Sequence, residues 1–269
     1  MIYTRNALVA LLPIFLAACG GGGGGDNNTN TGTDIVSLAP TSSSTYATSG
    51  YNTKELEFNS TIIVDSETGI VVGGSKVSSY FNTRNYMGLN VDQGDEVTIK
   101  ASGENINLME SWDSYDGYHY QYMLPNDASS YEFRFTREGT LVAEATLGSL
   151  PHEIDATPTV NGEDIFIAFS RLSDHKYFNL GESLECREFG NGQYSVLDNP
   201  GKEEALTDDY QGSVTALFNE DLATLQTNYE TCKVEVTLAA TPKTLNLTKS
   251  HRNIFIEAAS ILFVDVTLF

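Results

Sequence analysis

The chain has 269 residues, 41% of them hydrophobic, and a formal net charge of −21. That length accommodates one large or two ordinary domains, each with a core of its own. The acidity is shared by both halves and no basic stripe interrupts it, which argues against nucleic acid as a partner and fits solubility and mutual repulsion at a surface.

The first twenty residues carry the sharpest pattern. Arg5 precedes an apolar run over residues 7–18, which closes on Leu16-Ala17-Ala18 and then Cys19-Gly20. This is the layout of a secretory leader cleaved before the cysteine. A membrane-spanning helix needs roughly 20 apolar residues, and this run is shorter and interrupted by Pro13. On these residues the chain resembles the bacterial lipoprotein family. The resemblance covers the export leader and lipobox only. It implies that Cys19 becomes the mature N-terminus, carries a diacylglyceryl group and an N-acyl chain, and anchors the protein to a membrane. Gly20 stands where inner-membrane lipoproteins often carry Asp, so the resemblance implies the outer membrane.

Residues 20–25 are all glycine, and Asn, Thr, Asp and Gly continue to Thr33. Nothing there can be buried, so 19–34 is expected to be a flexible tether after a leader at 1–18. Beyond it, apolar residues recur with period two. Val97, Ile99 and Ala101 alternate with polar neighbours, as do Tyr131, Phe133 and Phe135, and Val234, Val236 and Leu238. Such runs place one strand face in a core and the other in water. Turn residues separate them at 65–69, 92–94, 113–117, 138–139 and 190–192. The expectation is an all-β protein of two antiparallel, immunoglobulin-like β-sandwich domains, at 35–150 and 151–269. One short helix is expected at 219–226, with Asn219 as its N-cap. The apolar segment 261–269 reads as a final sandwich strand.

With Cys19 lipidated, Cys186 and Cys232 remain as an even pair in an oxidising compartment and are expected to form a disulfide. The second half, with Leu150-Pro151, Phe169-Ser170-Arg171 and these two cysteines, resembles the sandwich domains of uncharacterised proteobacterial lipoproteins. That resemblance implies architecture alone. An antibody-type domain buries a Trp between its bridged cysteines. Here Trp112, the single tryptophan, lies outside the pair.

No catalytic constellation emerges, so the chain does not read as an enzyme and no cofactor is expected. His119, His152, His175 and His251 lack metal-ligand spacing, and no Gly-x-Ser-x-Gly elbow occurs. The nearer alternative to a binding role is a calcium-stiffened, adhesin-like module, and a hydrolase is the most distant. Asp92 with Asp95, Asp113 with Asp116, and Asp208-Asp209 offer hard oxygen ligands for calcium. Asp is equally the ordinary residue of tight turns. The densest local feature is aromatic, with Trp112, Tyr115, Tyr118, Tyr120 and Tyr122 around the 113–117 turn. Flat rings with polar tips suit stacking on sugar or a protein surface. Trp112, Tyr115, Tyr118 and Tyr120 are therefore the candidate binding residues, at least two of them exposed, for a surface polysaccharide or an envelope protein.

Overall fold

The computed structural model describes residues 47–79, 87–113, 115–190, 192–199, 203–251 and 253–269. The leader, Cys19 and the tether lie outside the described residues. In chain order the strands are β1 (Leu56–Asp65), β2 (Val71–Ser79), β3 (Glu96–Ala101), β4 (Glu104–Asn105), β5 (Met109–Asp113), β6 (Gly117–Leu124), β7 (Tyr131–Arg137), β8 (Thr140–Leu147) and β9 (Ala156–Asn161). There follow β10 (Asp164–Phe169), β11 (His175–Glu188), β12 (Tyr194–Asn199), β13 (Glu204–Leu206) and β14 (Tyr210–Ser213), then helices α1 (Val214–Phe218) and α2 (Leu222–Asn228). Strands β15 (Tyr229–Pro242), β16 (Leu247–Lys249) and β17 (Ile254–Thr267) complete the chain. The protein is all-β, and β11 with β12, β11 with β15, β15 with β17, β3 with β7 and β7 with β8 all pair antiparallel.

The strands gather into two compact units. The first holds residues 47–62, Val71–Ser149 and Asn246–Glu257; the second holds Ile63–Ile70, Leu150–Leu245 and Ala258–Phe269. One passage falls at Ser149/Leu150, beside the boundary read from the sequence. The linear division has no counterpart for 63–70 and 246–257. The reason is strand length: β1 runs ten residues and β17 fourteen, and each is divided between the units.

The first unit places β17-β1-β2-β6-β5 in one sheet and β16-β8-β7-β3-β4 in the other. The alternation on β7 lands as the period predicts, with Tyr131, Phe133 and Phe135 almost fully buried and the residues between them not. Burying each such ring contributes roughly 1.5–3 kcal/mol. Glu138 and Gly139 turn β7 into β8 with φ of 48° and 76°. Both are left-handed, as a tight hairpin requires.

The second unit places β12-β11-β15-β17 against β14-β10-β9, with β13 also on β11. Ile165, Ile167, Leu184, Val234, Val236 and Val266 fill its core. Cys186 and Cys232 form a disulfide. They are directly opposed residues of neighbouring strands β11 and β15. The bond therefore ties one sheet to itself, whereas the antibody-type bridge joins two sheets.

The helical expectation needs correction. Two short helices replace one, and Asn219 does not start either. It closes α1 in the left-handed conformation, φ 59°, donating its N–H to Thr215 O. Ser213 caps α1 and Asp221 caps α2, where its Oδ1 accepts the Thr224 N–H at 2.9 Å. Asn serves either end of a helix, so its identity leaves the choice open.

Candidate functional site

Strands β5 and β6 form a hairpin at one end of the first unit's sheet, with Trp112 opposite Tyr118 and Glu110 opposite Tyr120. The turn between them is held at both ends. Asp113 Oδ1 accepts the N–H of Tyr115 at 2.8 Å and of Asp116 at 2.7 Å. The Asp116 carboxylate in turn receives the buried Lys76 ammonium at 3.4 Å. From this clamped turn Tyr115 projects into solvent, 89% exposed.

The other candidates are placed differently. Tyr118 is buried, at 9% exposure, while Trp112 and Tyr120 are half-buried. The expectation of two exposed rings meets one. Tyr118, Tyr120 and Tyr122 do share a face, as their alternation requires, but it is a covered face. Period two says which residues lie together and leaves open which side meets the core. Gly88 bridges this strand through its backbone, donating to Asp116 O at 2.6 Å and accepting from the Tyr118 N–H at 3.1 Å, and a Cβ there would fall 1.7 Å from the Tyr118 carbonyl oxygen. Burial, and then Glu110 across the strand, raise the Tyr120 phenol above the ordinary tyrosine range. The Trp112 indole Nε1 is buried without a hydrogen-bond partner. On the opposite face His119 Nδ1 lies 3.2 Å from Gly117 O and 3.7 Å from Asp113 Oδ2.

Of the carboxylates weighed for calcium, Asp92, Asp113 and Asp116 are occupied in local structure, whereas Asp95 Oδ2 is buried without a hydrogen-bond partner. Asp92 accepts from Thr48 Oγ1 at 3.1 Å, Ser49 N at 2.9 Å and Ser49 Oγ at 2.8 Å. Partial burial opposes ionisation there, but the Ser49 and Thr48 hydrogen bonds win and hold its pKa below the usual value. Asp113 and Asp116 build the hairpin turn described above. Among the described residues no three His, Cys, Asp or Glu side chains converge as a metal site.

Two arrangements have parts of a hydrolytic triad and fail on geometry. Asp174 Oδ1 lies 2.8 Å from His175 Nδ1, yet His175 Nε2, where a nucleophile belongs, is buried with no partner. Ser250 Oγ lies 2.8 Å from His251 Nδ1 and 3.3 Å from Glu144 Oε2. There the serine is central, whereas a triad needs the histidine between acid and nucleophile.

Sequence reasoning missed one buried polar centre in the second unit. Glu182, 7% exposed, accepts from Asn179 Nδ2 at 2.6 Å, Tyr210 OH at 2.8 Å and Asn199 Nδ2 at 3.2 Å. Burial, and then the Glu182 charge, raise the Tyr210 phenol well above its ordinary value. The available sign was Gly181 within a long strand, which marks the irregularity between Asn179 and Gly181.

No family model matches the chain, and no curated protein matches it in sequence. Similar solved structures include a cytokine receptor complex, 9% identical over 76% of this chain and 94% of that one, TM-score 0.27. The Yersinia pseudotuberculosis adhesin InvE is 11% identical over 80% of this chain and 59% of that one, TM-score 0.23. The chain thus spans less than two thirds of InvE. A DUF3823 family protein from Parabacteroides merdae is 10% identical over 80% of this chain and 98% of that one, TM-score 0.20. At these scores nothing about the chain's activity follows.

Proposed function

We propose that the chain is a non-catalytic binding module of the bacterial envelope, tethered to the outer membrane through a lipidated Cys19. It recognises a surface polysaccharide or an envelope protein through the β5–β6 hairpin tip. The observation that carries the binding reading is Tyr115, a fully displayed ring on a turn that Asp113 and Asp116 hold rigid. Preorganised aromatic display lowers the entropy cost of stacking on a flat partner. Trp112 and Tyr120, half-buried behind it, support the hairpin, and Tyr118 is part of its core.

Envelope glycans and cross-linked envelope proteins captured by the full chain would be compared with those captured by Tyr115→Ala. Selective loss with Tyr115→Ala supports the reading; unchanged capture by that variant sinks it. The anchor has its own test. Cys19→Ala should leave a precursor that is not lipidated, and mass spectrometry of an unmodified mature wild-type N-terminus would overturn it.

A further inference from the structure

Strand β12 lies at the edge of its sheet, paired with β11 alone among the described residues. Its sequence, Tyr-Ser-Val-Leu-Asp-Asn, holds no Pro or Lys, the residues that commonly blunt exposed edges. Tyr194, Val196 and Leu197 are 55%, 54% and 44% exposed on it. Beside this edge opens a cavity of about 60 Å³. Leu184, Leu225 and the disulfide at Cys186 are deeply buried in its lining, while Leu197, Glu220 and Asn228 stand nearer solvent. The Glu220 carboxylate has no hydrogen bond or ion pair among the described residues, although its backbone oxygen accepts from Thr215.

These features pair an apolar recess with an unpaired negative charge, next to unpaired strand backbone. We propose that β12 and this cavity form a strand-addition site for an extended peptide bearing a lysine. The peptide main chain pairs with β12. The aliphatic stem of one lysine lies on Leu184, Leu197 and Leu225, and its ammonium meets Glu220. Backbone pairing supplies affinity in this mode, and a side-chain recess supplies selectivity. A recess of this size suits an aliphatic stem, and lysine stems cover apolar surface while the charge stays wet. The net charge of −21 favours a cationic partner and disfavours edge pairing with a second copy of this acidic chain.

The test uses the full chain in detergent and capped synthetic peptides of alternating Val and Thr. Their central residue is Lys, Arg, Leu or Glu. The Lys peptide should bind, should protect β12 amides from hydrogen exchange, and should weaken with added salt. Replacing the central Lys by Leu, or Glu220 by Gln, should each weaken binding about fivefold to tenfold. The Leu peptide should bind wild type and Glu220→Gln alike. Val196→Pro should abolish binding, with the melting temperature recorded to confirm that the unit remains folded; Tyr115→Ala should leave binding intact. Equal binding of Lys and Leu peptides, no binding of any peptide, or no protection of β12 would overturn the proposal. So would a dimer that Val196→Pro dissociates and the Lys peptide does not, which would make a second copy the occupant.

Discussion

Tyr122 lies directly over Gly73, its cross-strand partner on β2, so closely that a Cβ at Gly73 would fall 2.0 Å from the ring Cε2. The glycine lets the ring lie flat on the sheet and carries its hydroxyl to a buried closed set. Tyr122 OH lies 2.6 Å from Ser60 Oγ and 3.1 Å from Ser75 Oγ, and Ser75 donates to Ser60 at 3.0 Å.

Gly73→Ala should therefore destabilise the first unit by about 1–3 kcal/mol, the usual cost of overpacking. Tyr122→Ala should cost roughly 3–5 kcal/mol through the cavity it leaves. Adding Gly73→Ala to Tyr122→Ala should then cost little, because the clash is gone. Urea unfolding of the four proteins closes the cycle; strictly additive costs would contradict the stacking.

Alkaline stability should show the same centre. Burial raises the Tyr122 phenol from 10.0 to about 12, against the lowering effect of the Ser60 and Ser75 hydrogen bonds. A raised acid pKa stabilises the fold while the unfolded tyrosine is still protonated, so the contribution is complete below pH 10. It is lost as pH rises from 10 towards 12, a change of roughly 3 kcal/mol. Tyr122→Phe should flatten that part of the stability curve, and an unchanged alkaline slope would count against the assignment.

Reducing the Cys186–Cys232 bond should destabilise the second unit. The two residues are separated by 46 positions. The chain-entropy model puts the effect of such a loop near 4 kcal/mol. A Cys186→Ala, Cys232→Ala double variant should lower the melting temperature of the second unit more than that of the first. Calorimetry showing an equal shift in both would contradict it.

The hairpin separates display from packing. Tyr115→Ala should change stability by no more than about 0.5 kcal/mol, as an exposed substitution does. Tyr118→Ala should cost on the order of 3 kcal/mol, as a buried aromatic does. Equal costs by chemical denaturation would mean that the turn is packed in solution.

Glu182→Ala should leave the Asn179, Asn199 and Tyr210 donors without their shared acceptor. The cost should be about 3–5 kcal/mol, with Glu182→Gln retaining part of the stability. Thermal unfolding of both variants gives the comparison, and near-equal melting temperatures for wild type and Glu182→Ala would refute the centre.

Sequence alone determined what is local. Period two named Tyr131, Phe133 and Phe135, and Val234, Val236 and Leu238, as inward residues, because alternation is a property of the extended backbone itself. Asp113 and Glu138-Gly139 announced their turns through short-range chemistry, and parity paired Cys186 with Cys232. The tertiary structure decided what depends on residues distant in the chain. It turned the Tyr118 face towards cover, spent Asp92 on Ser49, and placed Gly73 under Tyr122. It also brought Asn179, Asn199 and Tyr210 around Glu182, and opened the β12 edge beside Glu220. A strand's pattern carries no record of which strand lies beside it or what packs above it; those neighbours come from register and long-range packing, which only the folded chain defines.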